Sequence, residues 1–306
     1  MTGQMGDWNG NGLLNLHKPS GVTSRDVVNQ VVRLKWKRGL KVGHAGTLDP
    51  LASGVLVVCL GKATRLIEYV QRQPKQYRTT VRLGAVSPTL DADGEVTETE
   101  VPDSLPSLSE IQAAIRPLIG LVSQRPPEVS ALRVNGQRAY DLVRAGKEVV
   151  LEPRLVQIDR IEILRYEWPL LDLEVDCGSG TYIRSIARDL GEALGCGGLV
   201  QVLERTKIGS FDLSSALDPA QLTRSTLPEV VLPTIEAVRG MPSLSISFED
   251  VAAIVQGRPL RLDQFADDSM GEGEVALTDP EGELVAVAHV DPSVGAIQPR
   301  RVLVSA

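Results

Sequence analysis

Val55 to Leu60, VLVVCL, is the longest uninterrupted apolar run in the chain. It is rich in β-branched residues and does not alternate with polar ones, so it reads as a strand covered on both faces. Six residues are far too few to cross a bilayer. A strand of this kind commits the chain to an internal sheet with packed layers on either side. With 306 residues, 42% of them hydrophobic, the chain is long enough to supply those layers and a second, smaller unit. A soluble globular protein is expected. The polar opening MTGQMGDWNGNG has no signal-peptide core, which makes the cytoplasm the expected compartment.

The segments around that strand alternate in type without a regular βαβ spacing, which favours an α+β fold. Gly12 to Lys18 reads as a strand ended by Pro19. Thr23-Ser24 can cap a helix carrying Val27, Val28, Val31, Val32 and Leu34 at helical spacing. A short helix over Ala63 to Gln71 leads to a strand around Tyr77 to Leu83 and an acidic turn at Asp91 to Gly94. Ser107 and Glu110 have capping-box spacing for a helix running towards Ile119. Residues 123–154 are rich in Pro, Gly and Arg and predict an excursion from the core. Alternation resumes at Val156 to Leu164 and in LLDLEVD, followed by a helix over TYIRSIARDLGEALG. A composition shift near Gly240 to Ser243 marks a boundary, and GEVALTD with LVAVAHVD forms a hairpin pattern beyond it. The organisation predicted is a flexible terminus over 1–11, a main domain over 12–242 and a small β-rich domain over 243–306.

Charge is unevenly spread. Residues 1–90 carry 13 Lys/Arg against 4 Asp/Glu, whereas the remainder carries 19 against 35. The basic residues cluster in RLKWKRGLK (33–41) and RQPKQYRTTVR (72–82), each with an aromatic inside. This is the layout of an anion-binding face on an acidic body, although charge alone equally fits a solvated face. Several familiar sites are excluded by spacing. Gly61-Lys62 lacks the first glycine and the hydroxyl of a phosphate loop, and Gly178-x-Gly180 has Ile183 at the third glycine of a dinucleotide fingerprint. Cys59, Cys177 and Cys196 have no C-x-x-C spacing, and His17, His44 and His289 are scattered, so neither a disulfide framework nor a metal site is expected.

The loop GHAGTLDPLASG, residues 43–54, is different in kind. Pro50 disfavours helical backbone at Asp49 and presents its carboxylate from an extended, stiff segment, with His44 five residues earlier. Gly43, Gly46 and Gly54 permit close approach by another chain. Taken alone, the loop also fits an ordinary Asp-Pro turn with a surface histidine.

Three further segments change that balance: LHKPSGVTS at 16–24, KQYRTTVRLG at 75–84 and GTYIRSIARDLG at 180–191. In this order and at these separations the four segments resemble the TruB family of tRNA pseudouridine synthases, over about Gly12 to Phe211. The resemblance implies a pseudouridine synthase fold: a mixed, largely antiparallel central sheet flanked by helices, with an RNA-gripping insertion at 123–154 and a PUA-like C-terminal domain. It implies an enzyme that isomerises the T-loop uridine of tRNA, position 55 in tRNA numbering, without metal or organic cofactor. It implies the T arm of tRNA as partner, and a stand-alone monomer with no membrane association and no obligate protein partner.

Roles carry over residue by residue. Asp49 matches the catalytic aspartate, Tyr77 the tyrosine that stacks on the target base, and Arg184 the arginine that pairs with the aspartate and would keep it ionised. An unmatched Arg184 would instead be a helix-surface residue pairing with Asp189. His44 matches the histidine that assists base flipping, and Leu203 an apolar residue of the base pocket. Lys18 and Pro19 match the Lys-Pro motif and support the catalytic loop, in which Gly46 and Thr47 face the substrate. Arg138 and Arg144, in the insertion, are placed to grip RNA. One departure stands out: the family commonly has an acidic residue before Lys-Pro, where this chain has His17. The rival readings are a guide-RNA-dependent relative, against which the insertion speaks, and an RNA-binding or RNA-folding protein in which chemistry is secondary.

Overall fold

The computed structural model describes residues 8–34, 37–100, 104–130, 133–134, 137–138, 142, 151–265 and 271–304. In chain order its strands are β1 (Gly12–Lys18), β2 (Val42–His44), β3 (Ser53–Leu60), β4 (Lys75–Leu83), β5 (Ala85–Val86), β6 (Thr97–Glu98), β7 (Gly120–Gln124), β8 (Arg133–Val134), β9 (Gln137–Arg138), β10 (Arg154–Glu167), β11 (Leu170–Cys177), β12 (Gly198–Ile208), β13 (Phe211–Asp212), β14 (Ser243–Ser245), β15 (Leu260–Arg261), β16 (Gly273–Thr278), β17 (Leu284–Asp291) and β18 (Ala296–Val302). Nine of them form one sheet in the order β1-β3-β12-β4-β11-β10-β7, with β2 on β3 and β13 on β12. Every junction is antiparallel except β3–β12, which runs parallel for only two pairs, Ser53 with Glu204 and Gly54 with Arg205. The sheet is therefore mixed and largely antiparallel, and its single parallel seam lies where the Asp49 loop enters β3.

The VLVVCL run occupies the position its composition demands. All six residues are fully buried, and they feed two cores in alternation. Leu56, Val58 and Leu60 meet Val27, Val28 and Val31 of the Ser24–Arg33 helix. Val55, Val57 and Cys59 meet Leu66 and Val70 on the other face. Each buried Val or Leu stabilises the fold by about 1.5–3 kcal/mol, so β3 is firmly anchored on both faces. A third core under β4 and β11 packs Val81, Leu171, Leu173 and Val175 against Ile111, Ile186 and Leu190. The last three come from the helices Leu108–Ile115 and Ile183–Ala193.

Thr23 caps the first helix and Ser107 the Leu108–Ile115 helix, both with complete capping boxes. The latter helix stops short of Ile119 because Pro117 falls in its last turn, which tightens to a 3-10 turn over Arg116–Leu118. The excursion between β7 and β10 leaves and re-enters adjacent antiparallel strands, with Gln124 directly opposite Arg154. About half of it lies outside the described residues.

From Ser243 onward a second sheet, in the order β14-β16-β17-β18-β15, closes around Ile254 of the Phe248–Val255 helix, Val275, Leu277, Val285 and Ile297. Its Ala276, Leu284, Val287 and Leu303 join the core of Leu66 and Val70. Arg301 pairs with Glu68 at 2.7 Å and Arg72 with Glu274 at 3.1 Å across this contact. The flexible terminus expected over 1–11 falls partly on residues 1–7, outside the described residues. Residues 8–11 are held, with the Trp8 indole donating to the Asn11 carbonyl and the Asn11 side chain accepting from the Lys62 N–H. Among the described residues no helix is long and apolar enough to cross a membrane.

Candidate active site

The loop between β2 and β3 is fixed on both sides of Asp49. Ser24 Oγ accepts the Leu48 N–H at 2.9 Å and donates to the Leu48 carbonyl at 3.1 Å. The Pro50 carbonyl accepts from the Gly21 N–H at 2.8 Å and from Lys18 Nζ at 3.3 Å, and the same ammonium donates to the carbonyls of Pro19 and Val22. Lys18 is completely buried, and that burial lowers its amine to about 8 despite the nearby Asp49 carboxylate. The main chain at 48 and 50 is thus held by residues 18–24, and the carboxylate between them projects with little freedom. His17 stands outside this support. Its Nε2 is 4.0 Å from Glu204 Oε1, near Ser53 at the start of β3.

Arg184 lies in the first turn of the Ile183–Ala193 helix and turns inward, with only 5% of its side chain exposed. Its fork spans two carboxylates: Nη2 is 3.0 Å from Asp49 Oδ2 and Nη1 is 3.3 Å from Asp91 Oδ2. The same two nitrogens also donate to the carbonyls of Thr89, from Nη1 at 2.7 Å, and Val129, from Nη2 at 3.1 Å. Asp189, the alternative partner, is occupied by Arg188 at 2.6 Å. Asp91 is itself buried, accepting from Thr89 Oγ1 at 2.6 Å and from the Asp93 N–H. Burial raises the Asp49 carboxyl above its ordinary value, Arg184 opposes that rise and Asp91 adds to it.

Tyr77 sits on β4 between Val175 of β11 and Arg205 of β12, 7% exposed, and burial raises its hydroxyl against the pull of Arg205. Arg205 is one of the largest fully buried side chains, donating to the carbonyls of Val55 at 2.9 Å and Gly46 at 3.0 Å. It ties the parallel seam to the loop.

Asp49, Tyr77, Arg184, Leu203, Gly46 and Thr47 line one cavity of about 350 Å³, in the size range of small-ligand sites. Tyr182, Lys75 and Arg205 line it as well. Lys18 lies behind the loop, outside the lining. His44 is also outside it. Its Nδ1 is buried without a hydrogen-bond partner, and burial lowers its pKa, which favours a neutral ring. Arg138 falls in β9, but its side chain and the whole of Arg144 lie outside the described residues.

Two expectations need correction. Two of the loop's three glycines serve contacts within the protein: a Cβ on Gly54 would come within 2.2 Å of the Arg205 carbonyl oxygen, and one on Gly43 within 3.0 Å of Ile67, whereas one on Gly46 would meet nothing closer than 3.5 Å. The second basic stretch is largely neutralised, because Arg72, Arg78 and Arg82 pair with Glu274, Glu174 and Glu98. The first remains open. Lys37, Arg38 and Lys41 line a second cleft with Lys62 and Arg65, and none of the five has an ion pair among the described residues.

Sequence reasoning missed Asp91, Arg205, Tyr182, Lys75 and Ser24. Asp91 carried a visible signal, an acidic turn, but nothing local marked it as buried. The arrangement as a whole presents an oriented carboxylate and a phenol to a space suited to one planar polar ring, with guanidinium groups to stabilise negative charge.

Residues 32–183 match the family model described as TruB family pseudouridylate synthase (N terminal domain), and residues 184–239 match that of the tRNA pseudouridylate synthase B C-terminal domain. The chain is 43% identical to the tRNA pseudouridine synthase B of Corynebacterium aurimucosum over 281 residues, covering 90% of this chain and 91% of that protein. It is 37% identical to that of Dehalococcoides mccartyi, covering 96% of each. Among solved structures, a Cbf5-Nop10-Gar1 complex contains a chain that superposes with a TM-score of 0.72 at 26% identity, covering 96% of this chain and 85% of that one.

Proposed function

The chain belongs to the TruB family of tRNA pseudouridine synthases, and on that premise we propose that it converts the T-loop uridine at position 55 of tRNA to pseudouridine with Asp49 as the catalytic carboxylate. The observation that carries this reading is the Asp49 carboxylate, pinned through its neighbours and held by Arg184 in the cavity that Tyr77 also lines. The reaction breaks the N1–C1′ bond, turns the base and forms C5–C1′, while C5 loses a proton and N1 gains one. It is a net isomerisation, so it consumes no co-reactant. A base stacked in the folded T loop must leave its stack to enter a cavity this small. Tyr77 and Leu203 then hold the two sides of the base, Gly46 and Thr47 border it, and Lys18 keeps the loop in place. His44 ends β2 where the loop begins, and its neutral ring packs beside the extruded nucleotide. Arg138 and Arg144 grip the T arm, and the C-terminal sheet serves as a PUA-like second contact.

The direct test is to incubate the protein with unmodified tRNA transcript, without guide RNA and in a chelating buffer, and to map pseudouridine. Product at position 55 is expected, and its absence rejects the proposal. Changing Arg138 and Arg144 to Ala is expected to weaken tRNA binding and to flatten the dependence of log K on log salt by about one to two phosphate contacts. An unchanged slope removes them from the grip.

A pH profile tests the Asp49–Arg184 pair. Asp49 acts ionised, so activity falls as pH drops through its pKa, which burial places above the ordinary carboxylate value. Arg184→Lys keeps a charge but loses the rigid fork that reaches both Asp49 and Asp91. The acid limb is expected to move to higher pH, and an unmoved limb at full activity counts against the pairing.

A further inference from the structure

Gln124 is the last residue of β7, at the point where the chain departs into the excursion. It is 2% exposed, and both ends of its amide are spent on the main chain of one residue. Its Oε1 accepts the Tyr182 N–H at 2.8 Å, and its Nε2 donates to the Tyr182 carbonyl at 3.1 Å. Tyr182 is the N-cap of the Ile183–Ala193 helix and has no side-chain cap of its own. The Tyr182 carbonyl also accepts the N–H groups of Ser185 and Ile186, so the amide grips the helix at its origin. Two residues further on is Arg184, with its fork on Asp49 and Asp91.

The same stretch of chain touches that helix turn elsewhere. The Arg125 carbonyl accepts from Ser185 Oγ at 2.8 Å and from Arg188 Nη2 at 3.0 Å, and the Val129 carbonyl accepts from Arg184 Nη2 at 3.1 Å. Those contacts fall on side chains, which can re-aim. Among the described residues of that stretch only Gln124 fixes main chain, and it does so with both donor and acceptor of its amide on a single residue.

We propose that Gln124 is a positioning residue for the reaction: by clamping the Tyr182 main chain it sets the helix turn from which Arg184 holds Asp49, and it couples the root of the excursion to the catalytic pocket. This inference rests on the isomerase reading above. A misplacement of about 1 Å at such a group can lower a rate about 100-fold, whereas residues that only hold RNA alter KM.

Gln124→Met keeps the volume and removes both hydrogen bonds. Steady-state kinetics on unmodified tRNA are expected to show kcat reduced about 10- to 100-fold with KM within about twofold of wild type. The acid limb of kcat is expected to move to higher pH, because a loosened Arg184 leaves Asp49 to burial and to the charge of Asp91. The other polar groups facing Asp49, namely Lys18, Tyr77 and Tyr182, are unchanged by the substitution. Ser185→Ala removes a neighbouring tie to the same stretch without touching the Tyr182 main chain, and is expected to leave the limb in place. An unshifted limb in Gln124→Met, a loss expressed in KM, or the same shift in both variants overturns the proposal. Should Gln124→Met fail to fold, Gln124→Glu provides the reading, since it keeps the acceptor for the Tyr182 N–H and loses the donor to its carbonyl. It is expected to show a smaller fall in kcat with the same direction of limb shift, and wild-type kcat and limb in that variant overturn the proposal. A wild-type protein that makes no pseudouridine in the same assay would instead reject the isomerase reading itself.

Discussion

Asp49→Asn is expected to bind tRNA within about threefold of wild type while forming product at least about 10⁴-fold more slowly, the scale seen when an acting group is removed from a catalytic set. The substitution is isosteric, and the clamps at Leu48 and Pro50 act on main chain, so the loop keeps its course. What disappears is the negative charge. The same change should make the protein slightly more stable at neutral pH. Burial and Asp91 raise the Asp49 pKa in the folded state, so the folded protein binds that proton more tightly than the unfolded chain does and is stabilised as pH falls through the raised value. A neutral Asn has this advantage at every pH, a common consequence of sites built for activity. Filter binding, product mapping and thermal melting at two pH values check all three statements. Appreciable turnover by the variant removes Asp49 from its role.

Gly54→Ala is expected to destabilise the fold by at least about 3 kcal/mol, combining a left-handed backbone with a collision that cannot relax. The φ of Gly54 is 106°, and its Cβ would lie within 2.2–2.8 Å of three backbone atoms of Arg205, its partner across the parallel seam. Relief requires β3 and β12 to separate, which also frees the Arg205 guanidinium from the Val55 and Gly46 carbonyls. Gly180 supplies the control. Its φ is 87°, yet nothing lies within 4 Å of where its Cβ would be, so Gly180→Ala is expected to cost only about 1–2 kcal/mol. Equal destabilisation of the two variants in urea melts refutes the seam collision.

The contrast between those two glycines shows what the sequence discloses and what it does not. Both belong to conspicuous glycine-rich motifs of the sequence, and nothing nearby in the chain distinguishes them. The difference comes from a strand about 150 residues away. Local chemistry was readable: the capping boxes at Thr23 and Ser107, the two-faced burial of VLVVCL, the alternation of LLDLEVD and the stiff Asp-Pro presentation each depend on neighbours in sequence. Arg184 was placed through the family motif, because without it the residue reads as a helix-surface partner of Asp189. Asp91 escaped notice because an Asp-Ala-Asp-Gly turn has the composition of a solvated corner, and its burial follows from the long-range approach of Arg184. Arg205 escaped for a related reason. A charged residue in the middle of a strand suggests an outward face, whereas the seam lets this one thread inward to two carbonyls.

The placement of the excursion has a further consequence. Gln124 and Arg154 are direct partners across β7 and β10, so the two ends of the intervening chain are held a single strand spacing apart whatever lies between them. Closing such a loop depends only weakly on its length, with a doubling costing about 0.6 kcal/mol. Changes of length beyond Val129, the last of these residues whose carbonyl holds the Ile183–Ala193 helix, are therefore nearly neutral for the stability of the sheet, and that part of the stretch can be lengthened, shortened or rewritten while the scaffold beneath it stays the same.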